Sequence, residues 1–247
     1  MRAFILAALA AILIAPAARA EPLRLAVAAN FLAAAEALAP LWAARGHDLP
    51  QISSGATGAL YSQITLGAPF DLFLAADAER PERLMQEGAA LAQKPYALGQ
   101  LMLFHADAGD LSPRDALQGR LVALADPALA PYGVAALQAI AGLGLDAATD
   151  MQLVTGANVG QAAALYISGA APVALVAASQ AALITARRPS VGLAIDPALY
   201  DPIQQHVALL SGGAQADQAE QARAFFDFLS DDAARAVIAA AGYGLPQ

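Results

Sequence analysis

The chain has 247 residues, of which 58% are hydrophobic, 14% charged and 6% aromatic; 13 Lys+Arg stand against 21 Asp+Glu, for a net charge of -8, and there is no cysteine. This length can bury a real core, as one large domain or two modest lobes. The acidic balance opposes nucleic-acid binding, and the missing cysteines exclude a disulfide scaffold, a thiolate-ligated metal and a cysteine nucleophile.

Residues 1–20 read as a leader. Arg2 gives a positive start, Ala3 to Ala15 is an unbroken apolar run, Pro16 interrupts it, and Ala18-Arg19-Ala20 fits the small-x-small rule for cleavage after Ala20. The run is short of the roughly 20 residues that a membrane anchor needs. Without the leader, 227 residues remain, carrying a net charge of -10 because Arg2 and Arg19 are gone. The expectation is an exported soluble protein of a bacterial periplasm.

Strand and helix signals then alternate. Leu23 to Ala29 is a buried-strand candidate, and Phe31 to Ala44 reads helical, with Pro40 inside it. Pro50 to Ser53 is a short strand, Ser53 to Gly58 a Gly/Ser/Thr loop, and Ala59 to Leu66 a helix. Asp71 to Ala75 is a strand, and Glu79 to Glu87 a helix ended by Gly88. Strands follow at Tyr96 to Phe104 and Leu121 to Ala125, then a helix from Pro131 to about Ala141. Gln152 to Val154 is a strand, Asn158 to Ser168 a helix, Val173 to Ala177 a strand and Ser179 to Ala186 a helix. His206 to Leu210 is the last strand, before helices near Gln218 to Leu229 and Asp231 to Ala240. Such alternation predicts parallel sheets covered by helices on both faces.

No catalytic set emerges. His47, His105 and His206 lack any metal-ligand spacing and read as ordinary solvated, surface or edge residues. Ser53 and Ser54 precede a glycine without the nucleophile-elbow pattern, and Asp126 and Asp196 precede prolines, which suits turns. What recurs instead is a strand ending in small or polar residues with a helix beginning at once: Ala28-Ala29-Asn30-Phe31, Ser54-Gly55-Ala56-Thr57-Gly58, Ala130-Pro131-Tyr132-Gly133 and Gly156-Ala157-Asn158-Val159-Gly160. In a parallel α/β sheet these helix N-termini lie along the edge where ligands bind. Each offers unpaired N–H groups and a partial positive charge, and together they would make a donor-only cage for an oxyanion. Taken singly, Asn30 and Asn158 are also good N-caps.

The segments VAANF (Val27 to Phe31), SSGATGALYSQI (Ser53 to Ile64), GAPFDLFLAAD (Gly67 to Asp77), DPALAPYG (Asp126 to Gly133), ANVGQA (Ala157 to Ala162) and AAGYGLPQ (Ala240 to Gln247) occur in one order and spacing. Together they resemble the ModA family, the periplasmic molybdate-binding proteins of molybdate ABC transporters, across essentially the whole chain after the leader. The resemblance implies an α/β, two-lobed periplasmic binding protein of type II. Each lobe is a mixed, mainly parallel sheet flanked by helices, and a two-strand hinge joins them. Lobe 1 would hold residues 21–101 plus 199–247, and lobe 2 residues 102–198. It also implies capture of molybdate and tungstate between the lobes, without chemistry or cofactor, by a monomer that delivers the anion to an inner-membrane permease. Carried across, Asn30 and Thr57 contribute from lobe 1, with Ala29 beside them. Tyr132 and Val159 contribute from lobe 2, chiefly through backbone N–H. No residue ligates the metal directly. Thr57 stands where the family usually has Ser, and Ala29 where some members carry a hydroxyl. Ala177 lies near the place from which some members reach the ligand with a tyrosine, a role Tyr132 would take here. The rivals are a receptor for another tetrahedral oxyanion such as sulfate or a phosphorus oxyanion, a periplasmic enzyme, and the sensing domain of a regulator. Phosphate carries a proton near neutrality and gains from an acceptor carboxylate, which none of the four junctions has.

Overall fold

A computed structural model describes residues 21–107, 109–212 and 216–246; the expected leader lies outside them. In chain order the strands are β1 (Arg24–Ala28), β2 (Gln51–Gly55), β3 (Leu72–Leu74), β4 (Ala90–Gly99), β5 (Leu101–His105), β6 (Leu121–Ala125), β7 (Gln152–Gly156), β8 (Val173–Ala177), β9 (Val191–Ala194) and β10 (Ile203–Leu210). The helices are α1 (Leu32–Ala43), α2 (Thr57–Thr65), α3 (Glu79–Gln86), α4 (Pro113–Leu117), α5 (Pro131–Gly142), α6 (Val159–Ile167), α7 (Ala181–Arg187), α8 (Ala216–Phe228) and α9 (Asp232–Ala240).

The strands form two five-stranded sheets, ordered β2-β1-β3-β10-β4 and β7-β6-β8-β5-β9. The two orders are one pattern built twice. β1 pairs in parallel with β2 and β3, as β6 does with β7 and β8. The fourth place is antiparallel to both neighbours and is filled by β10 in one sheet and β5 in the other. Both sheets are therefore mixed, and parallel pairing does not predominate in either. The chain passes between the sheets twice, at Gln100 between β4 and β5 and again between β9 and β10.

Alternation along the strands puts the first sheet between two cores. Leu25, Val27, Leu72, Leu74, Val207 and Leu209 pack with Phe31, Trp42, Phe225 and Phe228 beneath α1, α8 and α9. Ala26, Phe73 and Ala208 face the other way, against Leu60 of α2 and Leu84 of α3. In the second sheet, alanines of α5 and α6 (Ala135, Ala136, Ala139, Ala162, Ala163) lie fully or almost fully buried against Val122, Leu124, Val173 and Leu175. The heavy use of alanine thus sets helices close to the sheets.

Two readings change and two elements are added. The apolar stretch Tyr96 to Phe104 is two strands, because the chain trades β10 as partner for β8 and β9 across Gln100. The Ser53 to Gly58 loop is not a loop. β2 stays paired with β1 through Ala28↔Gly55, and after Ala56 alone α2 begins at Thr57. β9 escaped notice because it is a largely exposed edge strand with no alternating pattern, and α4 because it has only five residues. Pro40 sits within α1 on its exposed side, and the helix runs on to Ala43.

Candidate functional site

All four strand-to-helix junctions converge. Ala29 and Asn30, Ala56 and Thr57, Pro131 and Tyr132, and Asn158 and Val159 line one small cavity between the sheets, with Ala76 beside them. Asn30, Thr57, Tyr132 and Val159 are each at most 3% exposed. The space is about 10 Å³, room for about one water centre and too small for an organic solute.

Local sequence explains each wall. Pro131 opens α5 at a position that needs no N–H. Gly133 follows because a Cβ there would stand 2.2 Å from the Ala125 carbonyl oxygen at the end of β6. Asn158 caps α6, its Oδ1 accepting from the Gln161 N–H at 3.0 Å, while Gln161 Oε1 accepts from the Ala157 N–H at 2.9 Å. This is a variant of the capping box, because Gln161 reaches the N–H of Ala157, one residue before the N-cap, and it matches the Asn-x-x-Gln pattern of the sequence. Among the described residues no acceptor outside the helices and strands is found for the Val159 N–H, for those of Thr57 and Tyr132 at the starts of their helices, or for that of Asn30 in the short 3-10 turn Ala29–Phe31. Thr57 Oγ1 accepts from the Ala76 N–H at 3.3 Å, which frees its O–H to donate. Among the described residues Tyr132 is the one ionisable side chain on the cavity wall. Burial holds its phenol well above the usual range, so it stays protonated.

Asn30 is not the N-cap its type suggested. Its Nδ2 donates to Gln205 Oε1 at 2.9 Å and to the Tyr243 hydroxyl at 3.0 Å. Its carbonyl accepts from the Tyr243 hydroxyl at 2.6 Å and the Ser179 hydroxyl at 2.8 Å. Only its backbone N–H is left for a ligand. Ala177 is fully buried within β8, and the Tyr132 hydroxyl reaches the strand crossing, where it accepts from Gln205 Nε2 at 3.2 Å. Gln205 and Ser179 have no sequence signal of their own, and Tyr243 has one only as part of the AAGYGLPQ segment. The two sides already touch: Gly58 N–H donates to the Leu129 carbonyl at 2.9 Å, alongside the Ser179–Asn30 and Gln205–Tyr132 bonds.

The histidines lie elsewhere and differ from expectation. His47 stacks on Trp42 with ring centroids 3.7 Å apart, and His105 is fully buried at the end of β5. His206 is partly buried in β10, its Nδ1 against Gln93 Oε1. Among the described residues no group of three or more His, Asp or Glu is placed to hold a metal ion. A larger cavity of about 470 Å³ shares Ala76, Ala130 and Pro131 with the small one and is lined also by Asp77, Glu79 and Asp201. Its carboxylates stay outside the cage.

The family model for bacterial extracellular solute-binding proteins matches residues 23–244. The molybdate-binding protein ModA of Azotobacter vinelandii is 39% identical over 245 residues, covering 96% of both chains. The chain belongs to the ModA family of bacterial extracellular solute-binding proteins. The ModA of Rhodobacter capsulatus is 38% identical over 92% of this chain and 90% of its own. The solved periplasmic molybdate-binding protein of A. vinelandii superposes with a TM-score of 0.80 at 34% identity, over 91% of this chain and 100% of that one. Members of this ModA family are binding proteins and not enzymes, so the site is one for capture and release.

Proposed function

We propose that this ModA-family chain captures molybdate, and tungstate with it, in the cavity between its two sheets and hands the anion to the permease of an ABC transporter. Residues 21–101 with 199–247 form one lobe and 102–198 the other, the two crossings serving as the hinge. Asn30, Thr57, Tyr132 and Val159 hold the anion through backbone N–H groups and the Thr57 hydroxyl, with Ala29 in contact but supplying no side-chain donor. The protein works as a monomer in the periplasm after cleavage following Ala20.

The observation that carries this reading is the convergence of four helix N-termini on one small cavity whose wall, among the described residues, bears no carboxylate, lysine or arginine. Oriented N–H dipoles and a hydroxyl donor suit a dianion that has no proton to give. They suit hydrogen phosphate poorly, since its proton would face only donors. Molybdate and tungstate are nearly equal in size and charge, so hydrogen bonds barely separate them, while the smaller sulfate is discriminated by cavity size. Titration calorimetry on ligand-stripped protein lacking residues 1–20, with molybdate, tungstate, sulfate and phosphate side by side, tests this. The expected order is molybdate and tungstate together, well ahead of sulfate, with phosphate last. Molybdate binding no tighter than sulfate overturns the reading in favour of a general oxyanion receptor.

A further inference from the structure

We infer that Gln205 is a positioning residue that couples lobe closure to anion affinity without touching the anion; the inference rests on the anion-receptor reading above. Gln205 lies in β10, the strand that completes the first sheet just after the chain returns from the second. It is fully buried and does not line the cavity. Its Oε1 accepts from Asn30 Nδ2 at 2.9 Å and from the Tyr96 hydroxyl at 3.0 Å, and its Nε2 donates to the Tyr132 hydroxyl at 3.2 Å. One side chain therefore grips a cage residue from each side of the cleft.

Two features of the backbone serve that grip. The β4–β10 ladder shifts register between Gln205 and His206, which pair with Ala97 and Pro95 and leave Tyr96 unpaired. Such a bulge re-aims side chains, and here the Tyr96 hydroxyl shares its one proton between Gln205 Oε1 at 3.0 Å and the Ala75 carbonyl at 3.2 Å. At the first crossing Gly99 leaves room. A Cβ there would stand 2.4 Å from the Tyr132 hydroxyl and 3.0 Å from Gln205 Nε2. The Asn30 and Tyr96 bonds lie within the first lobe and survive opening. The Tyr132 bond crosses between lobes and exists only while they are closed. Gln205 thus presets Asn30 in the open protein and adds its third hydrogen bond on closure, so its contribution falls on how long the anion is held.

The test compares wild type with Gln205→Met, which keeps the volume and removes all three bonds, and Tyr132→Phe, which removes the bond across the cleft alone. Molybdate affinity is read by calorimetry, association and dissociation by stopped-flow fluorescence, and folding by the melting of the ligand-free proteins. Both variants are expected to fold, with affinity lowered about tenfold or more and the loss mainly in faster dissociation. A double-mutant cycle with Tyr132→Phe should be non-additive, because the two changes remove one shared bond. Unchanged dissociation in both variants, or an additive cycle, overturns the role of Gln205. Wild type that ignores molybdate overturns the receptor reading instead.

Discussion

Thr57 shows how one side chain can be tuned for an anion. Its hydroxyl oxygen takes the Ala76 N–H, so its own proton is left to give. A charge-assisted hydrogen bond of that kind is worth roughly 1.5–3 kcal/mol, or about tenfold or more in affinity. Thr57→Ala should weaken molybdate binding by that factor while Thr57→Ser stays close to wild type, as calorimetry would read; equal affinity in Thr57→Ala removes the hydroxyl from the site. The positions Asn30, Thr57, Tyr132 and Val159 were legible because small residues at strand ends before helices form a local pattern. The duties of the side chains were not. Asn30 turns from capping to a partner 175 residues away, and no local rule reports such a contact. Gln205 looks from its neighbours like any polar residue in a strand.

The same contrast holds among elements. Nearly every helix and strand lies where periodicity and punctuation put it, but the break at Gln100 does not. Leu101, Leu103 and Phe104 are as buried as Tyr96 and Ala97 of β4, so apolar residues run on across the break while the hydrogen-bonding partner changes. A partner exchange leaves no mark on a one-dimensional pattern. Glycines mark the tight joints better. Gly133 starts α5 against the end of β6, where an added methyl would stand 2.2 Å from a backbone oxygen that cannot rotate away. Gly133→Ala should therefore cost about 1–3 kcal/mol of stability through overpacking, despite the better helix propensity of alanine. Urea unfolding of the ligand-free protein checks this, and a variant as stable as wild type shows that the joint yields.

For the whole molecule, the net charge of -8 made an unpromising home for a dianion, and the resolution lies in where charge is absent. The cage is walled by backbone dipoles, and its one ionisable side chain among the described residues, Tyr132, is kept neutral by burial. Tyr96 and Tyr243, which complete the network around Asn30 and Gln205, are raised for the same reason, burial first. The sign follows from linkage. A phenol raised in the folded state keeps a proton that the unfolded chain releases above about pH 10, so the stability it supports is whole below that pH and is lost as pH climbs toward the folded value. Molybdate affinity should thus be flat from about pH 6 to 9, where no group on the cage wall titrates, and fall together with the melting temperature above about pH 10. Calorimetry and thermal melts across that range measure both. Replacing Tyr243 with Phe should blunt the alkaline loss of stability, since one of the three reluctant protons is then gone. A tenfold change in affinity between pH 6 and 9 would instead place an ionisable group against the anion, and the donor-only cage would have to be abandoned.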